Sequence, residues 1–138
     1  MTKSPNRLLG LVLGVVYLLA GILGFFLTSA TGFAATSGPK LIDLFGVNPL
    51  HNLVHLVVGI LLFVTALVGI HPARITNTTL GAIFLLVGVI GLLLANPDNS
   101  LNVLAINGAD NVLNFATAVV LLCVGFGADK PVGEGKAA

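Results

Sequence analysis

Asn48-Pro49-Leu50-His51-Asn52-Leu53-Val54-His55 opens a long apolar run and places four polar side chains, Asn48, His51, Asn52 and His55, within eight residues. A downstream stretch, Asn107-Gly108-Ala109-Asp110-Asn111-Val112-Leu113-Asn114, aligns with it without a gap. Asn48 falls on Asn107, His51 on Asp110, Asn52 on Asn111 and His55 on Asn114. Asn followed by Pro is a helix-start signal, because Asn caps the first free N–H groups and Pro suits the first helical position. Each stretch therefore starts a helix, predicted over 50–70 and 109–126.

The residues ahead of each stretch also match. Gly14-Val15-Val16-Tyr17-Leu18-Leu19-Ala20-Gly21-Ile22-Leu23-Gly24 aligns with Gly81-Ala82-Ile83-Phe84-Leu85-Leu86-Val87-Gly88-Val89-Ile90-Gly91, and all three glycines coincide. These lie in further apolar runs at 8–27 and 78–95, each near the ~20 residues that cross a bilayer. The expected fold is an all-α membrane protein of four transmembrane helices. It forms a single integral membrane domain over 1–138, built as an internal repeat of 7–70 and 78–126. With two spans per unit the halves point the same way, related by an axis along the membrane normal.

Composition agrees with the bilayer as solvent. Of 138 residues, 57% are hydrophobic and 8% charged, where a soluble domain carries about 25% charged. So short a chain has too little interior to hide that much apolar surface from water. The net charge of +1 gives no pull toward nucleic acid. The charged start resembles a signal peptide, but a signal core runs about 7–15 residues, and the first run is longer. Cys123, the one cysteine, reads as a small packing residue in its apolar run.

Between spans the chain changes character. Thr28 to Pro39 reads as a loop, and Lys40-Leu41-Ile42-Asp43-Leu44-Phe45-Gly46 as a short interfacial helix, with Leu101 to Ile106 its counterpart. His71-Pro72-Ala73-Arg74 reads as a tight break before a third span capped by Thr76, Asn77 or Thr78. Residues 127–138 read as a flexible tail. Asn77-Thr78-Thr79 also matches a glycosylation sequon, to which a bacterial-looking chain lends little weight. Gly10, Gly14, Gly21, Gly81 and Gly88 supply the small-residue faces through which helices approach in lipid. That use is expected within the chain first, with a homo-oligomer as the alternative. Of six basic residues, Lys3, Arg7, Arg74, Lys130 and Lys136 fall on one side and Lys40 on the other. The positive-inside rule then places both termini in the cytoplasm of a bacterial plasma membrane.

Asn48, Asn52 and His55 share one helix face, and Asn107, Asn111 and Asn114 share its counterpart. Polar groups inside a bilayer need partners, so each stripe is expected to clamp the other, with His51 reaching Asp110. A metal or haem site is a sharper alternative. His51 and His55 are spaced to face one ion, and Asp110 or Asp98 could add a ligand. His55 as a deep ionisable group also leaves a transport path open. No nucleophile–base pairing is suggested, since Cys123 lies away from the histidines. The expectation is thus no enzyme, no catalytic residue, no metal and no cofactor. The partners expected are the bilayer and other membrane subunits, not nucleic acid.

The stretch Asn48 to Gly59 (NPLHNLVHLVVG), the second motif Asn107-Gly108-Ala109-Asp110-Asn111, and Gly-Val-Val-Tyr-Leu-Leu at 14–19 together resemble a family of small four-span membrane proteins, common in actinobacteria and catalogued as domain of unknown function 4383. The resemblance covers nearly the whole chain outside the tail. It implies an integral membrane protein without implying an activity. The family pattern often has His where this chain has Asn114, which weakens any site that needs two facing histidines.

Overall fold

A computed structural model describes residues 3–129 as four long helices and one small hairpin. In order these are α1 (Pro5–Leu27), β1 (Lys40–Leu41), β2 (Phe45–Gly46), α2 (Pro49–Val68), α3 (Ile70–Leu94) and α4 (Gly108–Gly127). All four helices are long and apolar enough to cross a membrane, with mean hydropathy of 2.5, 2.1, 2.1 and 1.7 in order. Their outward faces carry large apolar side chains, such as Leu19, Val57, Leu86 and Val119, as lipid contact requires.

Local chemistry starts three of the helices. Ser4 caps α1 by accepting from the Arg7 N–H at 3.3 Å. Asn48 caps α2 through the His51 N–H at 2.7 Å, with Pro49 next. Asn107 and Asp110 cap α4 reciprocally, each side chain accepting from the other's backbone N–H at 2.9 Å. This capping box satisfies two donors that would otherwise lack partners.

α1 packs chiefly on α2, and α3 chiefly on α4. Glycines permit the approach. A side chain on Gly14 would come within 2.8 Å of the Phe63 backbone, and one on Gly21 within 2.8 Å of Leu56. In the second pair, a side chain on Gly81 would meet Leu122 at 2.8 Å and one on Gly88 would meet Phe115 at 3.0 Å. The small-residue faces thus close within each helix pair. The pairs meet over a core of Tyr17, Val58, Leu62, Phe84, Ala118 and Leu121.

Several expectations are corrected. The third helix begins at Ile70, not Thr78. Gly69, extended at φ 166, serves both neighbours: its N–H closes α2 on the Thr65 carbonyl and its carbonyl receives the Ala73 N–H that opens α3. Pro72 falls in the first turn, where no N–H is needed, so the His71–Arg74 stretch is helix. Asn77 is accordingly inside α3 and fully buried. The Lys40–Gly46 segment is a hairpin, not a helix, with Lys40 opposite Gly46 and Leu41 opposite Phe45. Ile42 and Asp43 turn it in the left-handed region, at φ 48 and 58. Leu101 to Ile106 is a run of turns. Finally, Cys123 is exposed on the helix surface, not a packing residue. Of the tail expected to be flexible, residues 130–138 lie outside the described residues.

Candidate functional site

The two polar stretches do not clamp each other face to face. Asn52 is fully buried and donates to the Thr28 hydroxyl at the end of α1, at 2.9 Å. Asn111 donates to the Gly88 carbonyl of α3 at 3.0 Å. Each therefore bonds within its own helix pair. The reason is the glycine beside it: Gly24 and Gly91 have no side chain, and the Asn52 and Asn111 amides occupy that space. The Oδ1 atoms of Asn52 and Asn111 are buried without partners.

The helix caps link the two halves instead. Asn48 donates to Ala35 and to Val103, both at 2.7 Å. Asn107 donates to the Leu44 carbonyl at 2.9 Å. Asn48 thus reaches the loop before α4, and Asn107 reaches the hairpin before α2. Asn102 ties the same end together, donating to Ile106 at 2.9 Å and accepting from the Ile106 N–H at 2.9 Å.

His51 and His55 lie one turn apart with ring centroids at 4.4 Å. His51 is 7% exposed, and the Nδ1 atoms of both rings are buried without partners. Asp110 is engaged by the Asn107 N–H, and no hydrogen bond or ion pair joins it to His51 among the described residues. Nor do three or more His, Cys, Asp or Glu side chains converge there in a way that could hold a metal; His51, His55 and Asp110 do not form a ligand set. Asn114 is half-buried beside His51 and His55, on the wall of a cavity of about 60 Å³ between α2 and α3.

Two residues not anticipated from the sequence stand at the centre. The Tyr17 and Thr117 hydroxyls share a hydrogen bond at 3.0 Å between α1 and α4. Tyr17 also meets His55 edge-on at 5.3 Å and Phe84 at 5.5 Å. A second cavity, of about 210 Å³, opens between α1 and α4 beneath the hairpin, and Tyr17, His55, Asp110 and Thr117 line it. One signal was present in the sequence: Tyr17 is the single tyrosine, and its aligned position holds Phe84.

The opposite end of the bundle holds a second polar group, built on residues the motifs did not mark. Asn77 donates to the Asn6 carbonyl and side-chain oxygen at 3.0 and 2.9 Å. Asn6 donates through its side chain to Asp129 at 2.6 Å and to Val124 at 3.0 Å. Ser4 adds a bond to Asp129 at 3.0 Å. Arg7 donates to the Ala66 and Leu67 carbonyls at the end of α2, and Arg74 to the Gly125 and Phe126 carbonyls at the end of α4. Desolvation pushes the Asp129 pKa up, but the bonds from Asn6 and Ser4 and the charge of Arg74 outweigh it. The carboxyl is held below its ordinary range.

Among known families, the model of the one described as Domain of unknown function (DUF4383) matches residues 7–127. No curated protein and no solved structure matches the chain.

Proposed function

The chain belongs to the DUF4383 family, and from that premise we propose a non-enzymatic membrane module that acts as an accessory subunit of a larger membrane complex. One observation carries this reading: five polar side chains at the two ends of the bundle are spent on the chain's own backbone. Asn48, Asn102 and Asn107 hold the loops, and Arg7 and Arg74 cap helix ends. What the molecule offers a neighbour is the apolar flank of four helices. In lipid, such flanks associate by packing.

Two further parts of the proposal concern architecture. The chain is a duplication of one helix pair. The reciprocal reach of Asn48 and Asn107 supports this, as do the matching roles of Arg7 and Arg74. Both termini face the cytoplasm of a bacterial plasma membrane, which the distribution of Lys and Arg supports.

The test is co-purification. The tagged chain, expressed at native level and extracted in mild detergent, is analysed by mass spectrometry. A stoichiometric membrane partner is the expected result. Recovery of the chain alone, or only with copies of itself, would overturn the accessory reading.

A further inference from the structure

We infer that the cavity between α1 and α4 binds a neutral, ring-bearing lipophile with hydrogen-bonding oxygens, of the class of quinone and quinol headgroups. The inference goes beyond the accessory role and does not depend on it.

Position is the first ground. α1 and α4 touch little, and rim residues Val16, Ile42 and Leu113 are exposed on the flank that faces lipid. Entry is therefore from the bilayer. Size is the second. A cavity of about 150 Å³ holds a benzene ring, so the ~210 Å³ here admits a substituted ring. Whole drug-sized ligands occupy about 300–1,000 Å³, so any tail must lie outside, among the lipids.

Chemistry is the third ground. One hydroxyl of the Tyr17–Thr117 pair donates to the other, which leaves one O–H donor and further lone pairs free. His55 lines the same space. Among the described residues no Lys or Arg lines the cavity, and Asp110 does. Phosphate and carboxylate groups are therefore disfavoured, whereas a carbonyl or hydroxyl oxygen finds both a donor and an acceptor. A plain acyl chain would leave that remaining O–H donor without a partner, which lipid penalises.

The other seam supplies an internal comparison. Under the alignment of Gly14 with Gly81 and Asn48 with Asn107, the cavity between α2 and α3 is lined by the corresponding positions. Phe84 stands for Tyr17, Val58 for Thr117, Val87 for Ala20 and Asn114 for His55. Both hydroxyls are gone, and the volume falls to about 60 Å³. The fold does not require hydroxyls at this place. They belong to one seam only.

Tyr17 is the only tyrosine and the chain has no tryptophan, so intrinsic fluorescence reports on the site itself. The full chain in mild detergent is titrated with menadione and with decylubiquinone, with free tyrosine derivative in the same micelles as the collisional control. The expected result is saturable quenching. Thr117→Val, nearly isosteric, should weaken binding by about three- to tenfold, the worth of one hydrogen bond. Ala20→Phe, which fills the cavity, should weaken it more than about tenfold. Ile83→Phe on the other seam should leave it unchanged. If Ala20→Phe does not fold, Thr117→Val decides alone. Quenching that never saturates, or that is the same in wild type and Thr117→Val, overturns the inference. Displacement of the quinone by decanol as readily as by a second quinone means that the cavity accepts acyl chains, and overturns it too.

Discussion

Asn52 and Asn111 each occupy the volume that a side chain on the facing glycine would need. Neither amide can swing away freely, since each is pinned by its own hydrogen bond. Gly24→Ala and Gly91→Ala should therefore each destabilise the bundle by about 1–3 kcal/mol, the usual cost of overpacking. Thermal unfolding in detergent checks this, and a change below half that range would contradict the packing. Tyr17→Phe should behave differently. It removes one interhelical hydrogen bond, worth about 0.6 kcal/mol on average in a membrane, so the melting temperature should barely move. A large loss there would assign the Tyr17–Thr117 pair to stability and not to recognition. The difference between these residues also explains what the sequence could reveal. Asn48 and Asn107 are legible as caps because the partners of an N-cap lie three residues away. Tyr17 and Thr117 are a hundred residues apart, and no local pattern joins them.

At the level of elements, local rules locate the helices and miss how they are joined. The Lys40–Gly46 segment places Leu41, Leu44 and Phe45 at helical spacing, which favours a helix on pattern alone. Tertiary contact decides otherwise: Gly46 lies so close to the Ala105 carbonyl that a side chain would stand 2.6 Å from it. Ile42 and Asp43 then take left-handed conformations, which cost an ordinary residue roughly 1–2 kcal/mol. Ile42→Gly should recover about 1 kcal/mol of that strain, less what the freer unfolded chain takes back, and should raise or maintain stability. Gly46→Ala should do the reverse, freeing the hairpin from the loop before α4. Hydrogen exchange at residues 40–47 separates the two cases, with faster exchange expected only in Gly46→Ala. The early start of α3 was hidden for a related reason. Pro72 looks like a breaker until Gly69 is seen to carry the reversal, which moves the proline into a first turn where it is tolerated.

Over the whole molecule, the apolar patterning made four spans readable, because hydropathy depends only on composition along the chain. What holds the two pairs to each other depends on neighbours distant in sequence, and at one end it depends on residues beside the start of α1 and the end of α4. Ser4 and Asn6, at the start of α1, both donate to Asp129, just beyond α4. Asn77 links the same Asn6 to α3. A single carboxylate thus ties the end of α4 to the start of α1, and Asn6 passes the link on to α3. Its folded pKa lies below the ordinary value of 3.8, so its stabilising effect is fully present above that value and is lost as pH falls through the depressed folded pKa. At neutral pH the tie is intact. Acidification below about pH 4 should progressively weaken it, and Asp129→Asn should remove that part of the pH dependence while lowering stability at neutral pH. The check is a set of detergent melts of wild type and variant from pH 7 to 3. If Asp129 is the tie, the gap between the two curves narrows as pH falls below about 4, because protonation removes the charge that the substitution has already removed. If they run parallel throughout, the acid sensitivity lies elsewhere and Asp129 is not the tie.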